Sequence, residues 1–105
     1  MDLQTADRGA WHVIDVKGEV DLNSSPTLRK AILAGIDDHA QVGVDLAAAS
    51  YMDSSGVATL VEGLKRASEK KKSFALVHPS TAVTKVLQLA RLDALFDIRD
   101  NLDGA

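Results

Sequence analysis

The spacing of apolar side chains changes its period several times along the chain. Over residues 11–17 apolar and other side chains alternate, which predicts a strand that Gly18 ends. Residues 2–6 are predicted to pair with this strand as an edge strand, across a turn at residues 7–9. The chain is therefore expected to begin with two paired strands.

Three longer segments instead place apolar side chains at helical spacing, and short apolar runs separate and follow them. The helical sets are Leu28, Ala31, Ile32 and Ile36, then Val57, Leu60, Val61 and Leu64, then Val83, Val86, Leu87 and Ala90. The short runs, residues 42–48, 73–78 and 95–100, suit strands. The order β-β-α-β-α-β-α-β predicts an α/β fold class, with a mixed sheet of about five strands and helices packed mainly on one face. A length of 105 residues suits one domain, residues 1–105.

Composition and charge narrow the classes of function. The chain has no cysteine, so disulfides, thiolate metal sites and thiol catalysis are excluded. Its net charge of −3 disfavours direct binding of nucleic acid, which needs clustered Lys and Arg. The run at residues 70–72 is basic, but it follows a predicted helix and suits a solvated helix end. With no signal peptide and no apolar run long enough to span a bilayer, we expect a cytoplasmic protein without membrane insertion.

The segment Asp-Ser-Ser-Gly, residues 53–56, lies where a predicted strand gives way to a predicted helix. Such junctions, at the carboxyl ends of strands, are the usual functional edge of an open α/β sheet. Asp53, Ser54 or Ser55 could simply cap the helix, and Gly56 could allow close backbone approach. Alternatively, a serine here could be phosphorylated, since free N–H groups at a helix start can hold a phosphate. The residues alone leave both interpretations open.

Catalysis by the chain itself is not indicated. The serines lack the G-x-S-x-G pattern of a nucleophile elbow, and no histidine is placed by the sequence to act as their base. The three histidines lack metal-ligand spacing, and no phosphate-binding loop motif is present. We therefore expect no enzyme activity, no cofactor and no metal site.

Three segments in order resemble the STAS domain of bacterial anti-sigma factor antagonists. The first is GEVD, residues 18–21, which is followed at the family's spacing by SPTLRKAI. The second, VDLAAASYMDSSGVATLVEGLK, resembles the family's phosphorylation segment, and AVTKVLQLARLDALFDI resembles its closing helix and strand. The resemblance covers residues 11–99, which is most of the chain.

The resemblance implies a phosphorylation-controlled switch of protein partners. In that family the serine after the motif aspartate is the phosphoacceptor, which corresponds to Ser54, with Asp21, Asp53 and Ser55 beside it. The implied kinase is an anti-sigma factor of the GHKL ATPase type, which holds ATP and Mg²⁺. The unphosphorylated antagonist binds this partner and releases sigma factor, phosphorylation ends the binding, and a PP2C-type phosphatase restores it.

STAS domains also occur as subunits that brace the permease and ATPase of lipid-transporting ABC systems. A bracing subunit could keep the serines as helix caps, so this role is the alternative to the switch. The intact Asp-Ser-Ser-Gly segment favours the switch.

Overall fold

The strands and helices follow the predicted order. The computed structural model describes residues 1–102, so the predicted domain at residues 1–105 is seen over that part, and residues 103–105 lie outside it. The elements are β1 (Asp2–Arg8), β2 (Trp11–Val20), α1 (Ser25–Asp38), β3 (Gln41–Met52), α2 (Ser54–Glu69), β4 (Ser73–Val77), α3 (Thr81–Leu89) and β5 (Asp97–Arg99). No helix within residues 1–102 is both long and apolar enough to cross a bilayer.

The five strands form one mixed sheet in the order β1-β2-β3-β4-β5. β1 runs antiparallel to β2, and all later neighbours are parallel. Each parallel step is a crossover through one helix and always moves to the next position in the same direction. Crossovers of one hand therefore put all three helices on the same face of the sheet. This confirms the predicted fold class.

The core lies between that helical face and the sheet. Its fully buried members include Ile14 and Val16 of β2, Leu28 and Ile32 of α1, and Leu60 of α2. Among residues 1–102, the opposite face of the sheet carries a small cluster, formed by Trp11, Val13 and Ala75 with Leu102 packed against it. The unequal size of the two clusters is what a sheet covered on one face requires.

β2 and β3 are both longer than predicted. The prediction that Gly18 ends the first of them is wrong, since β2 continues to Val20. The pairing of β2 with β3 shifts register on either side of Lys17 and Gly18, and Gly18 has a φ of +94°. Gly18 therefore bends the strand at a bulge, because glycine adopts positive φ at little cost. Beyond the bulge, Val20 pairs with Met52, which ends β3 well past residue 48.

The other differences are smaller and lie at element ends. β1 reaches Arg8, so the hairpin turn is at residues 9–10. α3 ends at Leu89, and Ala90, predicted to face inward, is its exposed C-cap. Within the predicted α2 stripe, Val57 and Leu60 are buried but Val61 and Leu64 are only half-buried. The buried face is rotated towards the small residues Gly56, Gly63 and Ala67, which let the helix lie close to its neighbours.

The basic run at residues 70–72 meets the end of α1. Lys70 lies 2.7 Å from an Asp37 carboxylate oxygen. The Lys72 ammonium donates hydrogen bonds to the carbonyls of Ile36 and Asp37. These cations thus support the C-terminal end of α1, where a positive charge is favourable.

Candidate functional site

The site is built where two neighbouring parallel strands end side by side. β2 ends at Val20 and β3 at Met52, and these two residues are register partners. The backbone N–H of Asp53 donates to the carbonyl of Val20 at 3.1 Å, which extends the pairing by one more bond. Because Asp21 follows Val20 directly, Asp21 and Asp53 start their turns at the same edge of the sheet. The structure therefore brings together the two motifs that the sequence keeps about thirty residues apart.

Asp53 is the N-cap of α2. Its Oδ1 accepts hydrogen bonds from the backbone N–H groups of Ser55 at 2.9 Å and Gly56 at 3.4 Å. It also accepts one from the Ser55 hydroxyl at 2.5 Å. The Ser55 hydroxyl is the main cause that lowers the pKa of Asp53, with further help from the backbones of Gly56, Ser55 and Leu22 against a partial desolvation cost. Of the capping candidates in the sequence, Asp53 is the one that caps.

The two serines differ sharply in their surroundings. Ser55 is half-buried and its hydroxyl is bound to Asp53. Ser54 is the first residue of α2 and is exposed. Over residues 1–102, its hydroxyl makes no hydrogen bond. Only one of the two hydroxyls is therefore presented to an incoming partner.

Asp21 organises the turn that leads from β2 into α1. Its Oδ1 accepts from the backbone N–H groups of Asn23 and Ser24, each at 3.0 Å, and from the Ser24 hydroxyl at 3.1 Å. The backbone of Leu22, in the same turn, lies near enough to help lower the pKa of Asp53. The turn before α1 and the cap of α2 thus lie side by side, joined through the Asp53 N–H bond to the Val20 carbonyl.

Gly56 seats the first turn of α2 on the two strand ends. It is buried, and a Cβ placed there would lie 2.6 Å from the Met52 Cγ and 2.9 Å from the Val20 Cγ1. Both distances are shorter than any normal carbon contact. The prediction that Gly56 allows close approach is thereby given a physical basis: the bare backbone fixes how near Ser54 lies to the edge of the sheet.

Two features of this surface were not predicted from the sequence. The Leu22 side chain, next to Asp21, is 75% exposed. A shallow groove of about 470 Å³ also runs from Ser54 along α2, lined by Ser54, Val57, Ala58, Val61, Glu62, Lys65 and Leu92. In the sequence, Leu22 belongs to none of the alternating or helical patterns of apolar residues, and this was the one indication that it lies at the surface. An exposed large apolar side chain beside a polar turn is typical of an interaction surface.

The arrangement of side chains around Ser54 suits the binding of a partner better than catalysis. No histidine within residues 1–102 hydrogen-bonds to Ser54, and the nearby Asp53 carboxylate is occupied with the helix cap. Glu62, in the groove, is paired with Arg29 at 2.6 Å. What remains at the helix start is the exposed Ser54 hydroxyl, directly after the capping carboxylate of Asp53.

Comparison with known proteins identifies the family to which this arrangement belongs. The model of the family described as "Mlab, STAS domain" matches residues 3–99. The chain belongs to the STAS domain family. The earlier resemblance is therefore confirmed over almost the whole chain.

The STAS domain has relatives among anti-sigma factor antagonists. It is 26% identical over 91 residues to the anti-sigma-B factor antagonist of Bacillus subtilis, covering 87% of this chain and 84% of that protein. It superposes with a TM-score of 0.87 on an anti-sigma factor antagonist from Mycobacterium paratuberculosis, which is 27% identical, with 97% and 87% of the two chains covered. The antagonist SpoIIAA in its unphosphorylated form gives a TM-score of 0.76 at 25% identity, with 92% and 87% covered. SpoIIAA has also been solved phosphorylated.

The cap predicts a specific dependence of stability on pH. The pKa of Asp53 is lowered in the folded STAS domain, so its contribution is complete above the unfolded value, 3.8, and is lost as pH falls through the lower folded value. Asp53→Ala should lower Tm at neutral pH. Asp53→Asn keeps a good capping side chain and should flatten the acid limb of a plot of Tm against pH. An Asn variant with the acid limb of the wild type would contradict the assignment.

At Gly56 we expect a substitution by alanine to lower the stability of the domain, although the same change usually stabilises a helix. Gly to Ala normally stabilises a helix, but here the new methyl overlaps Val20 and Met52. Gly56→Ala should destabilise the domain by roughly 1–3 kcal/mol in chemical denaturation, the usual cost of overpacking. Ser68→Ala, on the exposed side of the same helix, is the control and should change stability by less than about 0.5 kcal/mol. An unchanged or raised stability for Gly56→Ala would refute the close approach.

Proposed function

We propose that this STAS domain is an anti-sigma factor antagonist whose binding to its partner is controlled by phosphorylation of Ser54. The observation that carries this proposal is the contrast between the two serines. Ser54 is exposed, and its hydroxyl makes no hydrogen bond within residues 1–102. The Ser55 hydroxyl, in contrast, donates to the Asp53 Oδ1 at 2.5 Å. A kinase that accepts Ser54 meets a free hydroxyl, but phosphorylation of Ser55 would have to break the cap of α2.

The curated relatives support the regulatory part of this proposal. Those named above are antagonists of anti-sigma factors, and SpoIIAA exists in unphosphorylated and phosphorylated forms. They favour the switch over the alternative of a subunit that braces an ABC permease and ATPase. They are named for antagonism and not for catalysis, which agrees with a domain that is acted on by an enzyme.

The proposed partner is an anti-sigma factor that is also a GHKL-type serine kinase, with a PP2C-type phosphatase to reverse its action. ATP and Mg²⁺ belong to that kinase. The unphosphorylated domain binds it and thereby frees sigma factor. The groove along α2 begins at Ser54, and the exposed Leu22 side chain follows Asp21 at the same edge of the sheet. We assign both to the surface that contacts the kinase.

Charge explains why a phosphate at Ser54 would end the binding. Phosphorylation adds about −1.5 to −2 charges near neutral pH, directly after the Asp53 carboxylate and at the sheet edge where the turn of Asp21 also begins. The sequence suggested that free N–H groups at the helix start would hold the phosphate, but the N–H groups of Ser55 and Gly56 already bind Asp53. The helix dipole still favours an anion there, yet most of the new charge would face outward, towards the partner.

The first test maps the covalent site. The partner is captured with Ser54→Ala as bait, identified by mass spectrometry, and incubated with the wild type and Mg-ATP. We expect one phosphate on Ser54, full labelling of Ser55→Ala, and none of Ser54→Ala. Phosphate on Ser55, or labelling of Ser54→Ala equal to the wild type, would overturn the assignment.

The second test separates binding from folding. Ser54→Asp should bind the captured partner roughly a hundredfold more weakly than Ser54→Ala. Both variants lack the serine hydroxyl, and only the aspartate adds like-charge repulsion, which costs a few kcal/mol. Both variants should melt near the wild type, since Ser54 takes no part in the cap. Titration calorimetry and thermal melts measure the two effects. Equal affinities of the two variants would favour the bracing subunit instead.

A further inference from the structure

The opposite end of the sheet brings together two histidines and a carboxylate. Asp7 of β1 and His12 of β2 are direct register partners, and the Asp7 Oδ1 lies 3.1 Å from the His12 Nδ1. His39, the C-cap of α1, stacks on His12 with ring centroids 4.0 Å apart and planes only 3° from parallel. The function proposed for Ser54 uses none of these residues, since His12 lies about 25 Å from the end of β2, measured along the strand.

We propose that Asp7, His12 and His39 form a binding site for a divalent transition metal ion of the Zn²⁺ class. Each residue offers one ligand atom, and the three atoms all lie within 4.8 Å of one another. Two imidazoles and one carboxylate with an open fourth position are a donor set that zinc accepts in proteins. The mixture of nitrogen and oxygen also disfavours Ca²⁺ and Mg²⁺, which prefer oxygen ligands alone.

The distances require only local movement. In a tetrahedral zinc site with bonds near 2.1 Å, neighbouring ligand atoms are about 3.4 Å apart. The pair formed by Asp7 and His12, at 3.1 Å, is already close to this separation. Parallel rings cannot both aim a nitrogen lone pair at one ion, so the His39 ring must tilt away from the stack. His39 is half-buried on an extended residue that follows the helix, and rotation about its side-chain bonds supplies the tilt.

The surroundings hold His12 in place and keep Arg8 away from Asp7. The His12 side chain is only 15% exposed. It lies against Gly35, where a Cβ would come within 3.1 Å of its ring. The site is beside the C-terminal end of α1, where Lys72 already binds the carbonyls of Ile36 and Asp37, so the ligand atoms themselves must attract the ion. Arg8, next to Asp7, points away, with its guanidinium 3.3 Å from Asp15 and 3.7 Å from Asp45.

A metal here would tie the first hairpin to the end of α1. β1 pairs only with β2 and is an edge strand, so it has few other links to the helical layer. Since a metal that binds only the folded chain stabilises it, Zn²⁺ should raise Tm.

The test uses untagged protein, ZnCl₂ and CoCl₂, and a pair of matched histidine variants. His39→Asn removes a proposed ligand. His78→Asn removes the third histidine of the chain, which follows β4 and has a φ of +47° that asparagine tolerates. Asp7→Asn is the second ligand variant, and its side chain is 71% exposed, so failure to fold is not expected. Circular dichroism confirms folding in each case.

Titration calorimetry of the wild type should give one Zn²⁺ per chain, with visible absorption on Co²⁺ loading. His39→Asn and Asp7→Asn should each weaken Zn²⁺ binding at least about tenfold, since loss of even an outer partner costs about 10–100-fold. His78→Asn should bind as the wild type does. The proposal is overturned by a wild type that does not bind Zn²⁺, by unchanged affinity in His39→Asn, or by an equal loss in His78→Asn.

Discussion

The parallel pairing of β2 with β3, continued to the last residue of both strands, is the constraint on which the rest of the site depends. It sets Val20 beside Met52 and lets the Asp53 N–H bond to the Val20 carbonyl. Had β2 stopped at Gly18, the turn containing Asp21 would leave the sheet earlier, and the two motifs would not share an edge. The bulge at Gly18 makes the extra length possible, because it absorbs a register shift without ending the ladder.

The order of strands and helices could be predicted from the sequence, because the buried face of each element repeats apolar residues at the spacing of that type of element. Leu28, Ile32 and Ile36 mark one side of α1, and all three are fully buried. The true ends of β2 and β3 could not be predicted in this way. Glu19 and Tyr51 are exposed, and they extend the ladder through backbone hydrogen bonds that leave no pattern in side-chain polarity.

The sequence was enough to predict that the Asp-Ser-Ser-Gly segment is the site. It was not enough to predict which of its side chains caps the helix and which hydroxyl is left exposed. Asp53, Ser54 and Ser55 are all good capping residues, so their types cannot say which one caps. That choice depends on the direction in which each side chain leaves the backbone as the strand becomes a helix. The same limit applies to His12 and His39, which lie far apart in the sequence and meet only because β2 starts beside the end of α1.

Stability and recognition are divided between neighbouring residues at the start of α2. Asp53 holds the N–H groups of Ser55 and Gly56 and the Ser55 hydroxyl, so it serves the fold. Ser54 contributes nothing to that network and can change its charge without dismantling it. A phosphate on Ser54 would find the N–H groups of Ser55 and Gly56 occupied by the capping carboxylate of Asp53. Under the proposed function, its charge therefore acts on the partner's surface rather than on the domain that carries it, which is the property a reversible switch requires.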